Sequence, residues 1–283
     1  MSTQRKTIEG FTNKNETPMA VEIVIVSFLP DLEWITLSLR SISKYASGFS
    51  GVTIIVPWDD LGSFLPFEAW RAKDGAPIRV KKYIDVHGKG MLMHEVMICS
   101  ADIYCPHADF IMHMDSDCLF HEPVTPEDYI RNGKPDLLMV KYNSFPAGRA
   151  EYKWQQNVMR ALGVPIECVP FECMQRHPAV HDWDIYSDMR AEIESVHKCP
   201  FNQYVIEQEN SWPQGFAEFP TLGAYAFLRY KDYYNFIEIE KPDIQSHPKS
   251  AHKVTQFWSH SSRDPKHWEL YQHQLRMARR IVA

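Results

Sequence analysis

Two β-branched runs bracket a helix-periodic stretch near the start of the chain, and no other feature narrows the possible folds as much. VEIVIVSFL (Val21 to Leu29) and VTIIVPW (Val52 to Trp58) are almost continuously apolar. That is the pattern of strands covered on both faces rather than strands with one wet side. Pro30 and Asp31 break the first run, and LEWITLSLRSISKYA then places Trp34 or Ile35, Leu39 and Ile42 at helical spacing. Gly48 and Gly51 stop that helix. Strand, helix and strand in quick succession predict a βαβ unit, hence a parallel sheet with a right-handed crossover.

The pattern continues in the same style. IRVKKYI (Ile78 to Ile84) alternates, which predicts a strand nearer the sheet edge. HGKG precedes a helix through MLMHEVMICSADIY, then comes ADFIMHMDSDCLFHEP, and DLLMVKY (Asp136 to Tyr142) reads as another strand. Beyond it the segments shorten and Pro, Trp and His become more frequent. Helices are predicted around Glu151 to Leu162 and Asp188 to His197, with a strand or turn at VPFECM. FAEFPTLGAYAFLRY mixes turn and helix signals, and PKHWELYQHQLRMARRI predicts a terminal helix. With no repeat, low-complexity tract or linker, the expectation is a loose arm over residues 1–19 and one α/β domain over 20–283.

Bulk properties exclude several partners. A chain of 283 residues can bury a substantial core. The formal charge of −6 and the lack of a basic block argue against nucleic acid or an anionic membrane as the main partner. The first twenty residues are polar, without the apolar core of a signal peptide, and no window approaches the ~18 apolar residues of a membrane span. A cytoplasmic or cytoplasm-facing protein is therefore expected. The six cysteines form no C-x-x-C pair and read as reduced, mostly buried thiols. Cys168 and Cys173 could join His177 and His181 around zinc, but the spacing matches no common zinc pattern.

The acids stand at the ends of the apolar runs. In an open parallel sheet, ligands bind beyond the carboxyl ends of the strands. Ser27, then Asp59 and Asp60, then Asp115 and Asp117 fall at three such ends. Any one of these acids could merely cap the following helix or polarise a turn. In the DSD triplet, two carboxylates one residue apart on an extended segment face the same side, ~6.5 to 7 Å apart. They can hold a hard divalent cation whose remaining positions are filled by phosphate oxygens. Apolar residues directly before and after the triplet require the turn to sit against the core. The HGKG glycines could bring backbone N–H groups, and Lys89, near a phosphate.

A long apolar strand ending in D-x-D, about ninety residues after a VIVSF-type first strand, resembles the GT-A fold glycosyltransferases. The similarity runs from about Glu22 to Ser261 and rests on VPWDD, ADFIMHMDSDCLF, FAEFPTLGAYAFL and QFWSHS. It implies a Rossmann-like single domain, with a nucleotide-sugar half over 20–145 and an acceptor half over 146–283. It also implies that Ser27 and Phe28, with Asp59 or Asp60, line the base pocket. Asp115 would meet ribose or metal, with Ser116 beside it, and Asp117 would ligate Mn²⁺ or Mg²⁺. His260 would complete that metal site. Glu218 would be the general base of an inverting reaction, or would only position the sugar in a retaining one. Glu172, Arg176 and His177 would reach the acceptor, and Trp183 or Trp212 would offer a flat platform for a sugar ring.

The function so implied is transfer of a sugar from a nucleoside diphosphate sugar, UDP-linked by expectation, to a hydroxyl of a glycan or other acceptor. Two alternatives stay open. A sugar nucleotidyltransferase shares the βαβ-plus-acid logic but ordinarily carries a Gly-rich basic loop, and VSFLPDLEW has neither Gly nor Lys. A non-catalytic sugar-binding domain of the same fold would be favoured had the acids or His260 been missing.

Overall fold

The computed structural model describes residues 19–174, 178–209, 211, 213, 215–239, 253–257 and 268–283. In chain order its first half comprises β1 (Val21–Val26), α1 (Leu32–Tyr45), β2 (Gly51–Pro57), the single turn α2 (Leu61–Phe64), β3 (Ile78–Tyr83), α3 (Gly90–Ile98), the single turn α4 (Ala101–Tyr104), β4 (Phe110–His113) and β5 (Cys118–Phe120). The second half comprises β6 (Ile130–Arg131), β7 (Lys134–Lys141), α5 (Glu151–Leu162), β8 (Phe171–Glu172), β9 (Ala179–Asp182), α6 (Asp184–His197), α7 (Phe201–Ile206), α8 (Glu218–Arg229), β10 (Asn235–Glu238), β11 (Val254–Gln256) and α9 (Trp268–Val282).

The central sheet has the order β3-β2-β1-β4-β9. β3, β2, β1 and β4 run parallel, and β9 closes the edge antiparallel to β4. The fold is thus mixed α/β with a mostly parallel central sheet flanked by helices. Successive strands β1 to β3 step one way from the centre, while β4 lies on the other side of β1. The strand order therefore reverses between β1 and β4, and that is where a crevice opens at the carboxyl ends of such a sheet.

The continuous apolar runs have the meaning expected of them. Ile23 and Ile25 of β1 pack with Ile35, Leu39 and Ile42 of α1, whereas Val24 and Val26 pack on the opposite face with Leu92 and Val96 of α3. Both faces of β1 are buried, so every position in it is apolar except Glu22. That carboxylate is satisfied by Thr53 Oγ1 and Arg79 Nη1, each 2.8 Å away.

The structure corrects several boundaries. The strand over Lys134–Lys141 does not join the central sheet but organises a second one with β10, β6 and β8. β9, an element absent from the sequence reading, takes the central sheet's edge instead. The long helix after HGKG is cut at Cys99 and Ser100, where Arg190 Nη1 donates to the Cys99 carbonyl at 2.6 Å. α6 begins at Asp184, four residues before the predicted start. FAEFPTLGAYAFLRY resolves into helix α8, whose Pro220 lies in the first turn, where its missing N–H breaks no helical bond. Gly223 in that helix passes so near Cys173 that an added Cβ would lie 2.2 Å from the Cys173 Cβ. The arm over residues 1–18 lies outside the described residues. Among the described residues, no helix is long and apolar enough to cross a membrane.

Candidate metal and nucleotide site

β4 delivers the DSD triplet to the reversal point. The ladder with β1 extends one residue past β4, with the Met114 N–H donating to the Val24 carbonyl at 3.0 Å. The chain then turns back, the Cys118 N–H donating to the Asp115 carbonyl at 3.0 Å, and leaves along β5. β5 pairs antiparallel with β11, and the Phe257 N–H donates to the Asp117 carbonyl at 2.9 Å. The triplet is thereby clamped between the central sheet and a two-stranded ribbon. This is the buried turn that the flanking apolar residues called for.

The side chains converge within that frame. One ligand atom from each of Asp115, Asp117 and Cys118 lies within 4.8 Å of the other two, the one such trio among the described residues. Asp117 is 4% exposed and Asp115 is half-buried. Gln256 Nε2 donates to Asp115 Oδ2 at 3.1 Å, which orients that carboxylate from β11. Ser116 Oγ donates to Ser27 Oγ at 3.0 Å, a buried bond joining the carboxyl ends of β4 and β1 across the crevice. The donor chemistry suits a divalent cation: two carboxylates are the hard oxygen ligands that Mg²⁺ and Mn²⁺ prefer. The Cys118 thiol adds a softer atom, which sequence reasoning did not anticipate.

Beside this cluster, the predicted base pocket is partly structural. Asp60, at the end of the turn after β2, accepts a 2.8 Å bond from the Leu29 N–H and so pins the loop leaving β1. Asp59 is exposed on the same turn, and Phe28 is half-buried next to Ser27. Three adjacent parallel strands, β2, β1 and β4, thus bring Asp59, Asp60, Ser27, Phe28, Asp115, Ser116 and Asp117 to one edge of the sheet.

No protein-family model matches the chain, and no curated protein matches it.

The remaining predicted residues divide. Glu218 is the first residue of α8, half-buried, with Phe216, Phe219 and Tyr225 of its neighbourhood all buried. Phe219 packs edge-on against His113, the last residue of β4, with ring centroids 5.5 Å apart. α8 therefore begins on the same side of the sheet as the DSD turn. Facing Glu218 electrostatically is Glu95 of α3, which the sequence reading missed. Burial, and then the charge of Glu218, push the Glu95 carboxyl up to about 10, so it is neutral at physiological pH. A lone acid within the otherwise apolar helix GMLMHEVMI was the available signal.

Two expectations are corrected. Trp183 is no acceptor platform. β9 runs antiparallel to β4 with Asp182 opposite Phe110, so Trp183 lies at the amino end of β4, away from the DSD turn. Its indole Nε1 donates to the Cys105 carbonyl at 2.9 Å, a structural tie. Glu172 does not line an open cleft: it is 1% exposed, and its carboxylate accepts the Met174 N–H. The Lys89 N–H is already used, closing a turn onto the Val86 carbonyl at 2.9 Å. Its side chain, half-buried directly ahead of α3, stays a candidate. His260, Arg176, His177 and Trp212 lie outside the described residues. Of the conceivable zinc ligands, His181 is fully enclosed, bonds Tyr234 Oη at 3.2 Å, and is pushed down to about 3 by burial. Its neutrality reflects packing against the second sheet.

Proposed function

We propose that this chain is a metal-dependent glycosyltransferase of the GT-A type, moving a sugar from a nucleoside diphosphate sugar, with UDP the preferred nucleotide, to a hydroxyl of a glycan or other acceptor. The observation that carries the reading is the DSD turn at the strand-order reversal of a parallel sheet, its two carboxylates and Cys118 within 4.8 Å of one another. A nucleotide lying across the carboxyl ends of β2, β1 and β4 meets the base-side residues and the carboxylates in the order that a nucleoside diphosphate presents its parts. Lys89, directly ahead of α3, is the candidate for the phosphate side.

Asp117 and Asp115 would hold Mn²⁺ or Mg²⁺, with Gln256 keeping Asp115 turned toward the site. When bound, the ion supplies neutralisation of the charge that builds on the departing diphosphate. Ser27 and Phe28 shape the base pocket, and Asp60 keeps their loop in place through Leu29. Glu218, partly shielded by Phe216, Phe219 and Tyr225, accepts the proton from the acceptor hydroxyl as that oxygen attacks.

The test is thermal stability with UDP, with and without Mn²⁺, followed by release of UDP or GDP from a panel of nucleotide sugars. Stabilisation that needs both nucleotide and metal, and diphosphate release from at least one donor, support the reading. A melting temperature indifferent to both ligands would sink it.

A further inference from the structure

Strand register turns the cysteine of the DSD turn toward the two carboxylates. β5 and β11 pair antiparallel, with Gln256 opposite Cys118, Thr255 opposite Leu119 and Val254 opposite Phe120. Residues directly opposed in such a pair carry their side chains on the same face of the ribbon. Gln256 reaches Asp115 Oδ2 at 3.1 Å, so its face is the one turned toward the acids, and Cys118 shares it. Leu119 lies on the other face, in a cluster with Trp34 and Phe257. Two backbone bonds fix the spacing. The Cys118 N–H donates to the Asp115 carbonyl at 3.0 Å, and the Phe257 N–H donates to the Asp117 carbonyl at 2.9 Å.

An enclosed thiol ordinarily serves as a small core residue. Cys118 does pack in the core of the central sheet, together with Phe120 and Val254 of its own ribbon face. Cys99, Cys105 and Cys173 are buried as well, yet among the described residues only Cys118 has its sulfur grouped with two further ligand atoms. Those three atoms lie within 4.8 Å of one another. One ion spans a similar distance: ~2.3 Å to sulfur and ~2.1 Å to oxygen put opposed ligands about 4.4 Å apart. Exposure falls through the trio, from half-buried Asp115 through Asp117 at 4% to Cys118 at 0%, so the sulfur forms the closed end of the cluster. A cation seated between the carboxylates has that thiol as its next donor.

We propose that Cys118 is the third protein ligand of the cation at the DSD turn, a thiolate that biases the site toward thiophilic divalent ions, Co²⁺ and Zn²⁺ ahead of Mn²⁺, and away from Mg²⁺. The proposal rests on the reading of the turn as a metal site, and not on which sugar or acceptor is handled. Two carboxylates alone suit Mg²⁺ and Mn²⁺ alike, whereas a sulfur ligand gains little from Mg²⁺ and much from the later transition ions. On binding, a sulfur–metal bond replaces the S–H bond and the thiol proton passes to solvent. Nothing is oxidised or reduced.

Titration of the full chain with Co²⁺, followed by absorption spectroscopy alone and again with UDP, tests this directly. A thiolate bound to Co²⁺ gives a near-ultraviolet charge-transfer band that carboxylate ligands do not. The band should appear in the wild type, vanish in Cys118→Ser and weaken in Asp117→Asn. In calorimetry Cys118→Ser should lose more than about tenfold in Co²⁺ affinity and less than about threefold in Mg²⁺ affinity. Circular dichroism checks the fold of that variant, and Cys118→Ala gives the same comparison should serine not be accommodated. A wild-type spectrum without the band under both conditions overturns the proposal. So does a band that survives Cys118→Ser, or Co²⁺ affinity that Asp117→Asn lowers and Cys118→Ser leaves unchanged. A band that depends on Cys118 but ignores UDP, with no diphosphate released from any donor, upholds the thiolate ligand and removes the glycosyltransferase reading instead.

Discussion

The buried acid on α3 makes stability depend on pH in a way few carboxylates do. In the unfolded chain Glu95 ionises near its ordinary value of 4.5, whereas in the folded chain it holds its proton up to about 10. Its folded value is raised, so its contribution is fully present below 4.5 and is lost progressively as pH rises toward 10. Inside that window the unfolded state has released one proton that the folded state retains. Stability then falls by about 1.4 kcal/mol per pH unit. The cleanest interval is pH 7 to 8. His181, with its folded value pushed down to about 3, adds only a small slope of opposite sign there, as the last unfolded imidazolium loses its proton. Cys99, Cys105 and Cys173, raised by burial, add a small slope of the same sign toward the top of that interval, where unfolded thiols begin to ionise. Urea unfolding at the two pH values should therefore show a loss of about 1.4 kcal/mol on going from 7 to 8. With an m-value of about 3 kcal/mol/M, the midpoint moves by roughly 0.5 M. Glu95→Gln carries no proton to lose, so its midpoint should be nearly level over the same interval. A wild-type midpoint that does not fall, or a Glu95→Gln variant that falls just as far, would refute the burial argument.

Four further outcomes are expected. Asp117→Ala should abolish Mn²⁺-dependent UDP binding in calorimetry while leaving the far-ultraviolet spectrum unchanged, because the cation loses its most enclosed carboxylate. Glu218→Gln should spare donor binding and lower turnover by roughly 10²- to 10⁴-fold, measured as acceptor-dependent diphosphate release. Arg190→Leu strands Asp102, whose side chain is 5% exposed, and should cost about 3–5 kcal/mol in chemical denaturation. Gly223→Ala forces a Cβ to within 2.2 Å of the Cys173 Cβ and should cost about 1–3 kcal/mol; the double variant with Cys173→Gly should recover part of it.

What could be read from the residues alone follows from how each element is buried. β1 and β2 are covered on both faces, and that requirement wrote uninterrupted apolar runs into the sequence. Their parallel pairing followed from the helix between them. β9 was illegible for the converse reason: it is a four-residue edge strand ending in His181 and Asp182, specified by pairing with β4 rather than by any local pattern. The same element explains the error at Trp183. An aromatic residue in a loop carries no sign of which sheet end it occupies, and β9 runs opposite to its neighbour, so its exit lies at the wrong edge.

The site shows the same division. Carboxylates at strand ends are visible because an acid that terminates a buried run has nowhere to point except outward beyond the sheet. The groups that orient those carboxylates are not visible, because tertiary pairing brings them from far along the chain. Gln256 reaches Asp115 across 141 positions, through a β5–β11 ribbon that no periodicity announces. Glu95 is different: its oddity was local, a single acid in an apolar helix, and it passed as one more core-helix residue. A charge that a buried helix retains has to be neutralised, paired or used, and burial favours neutralisation of Glu95 by a held proton.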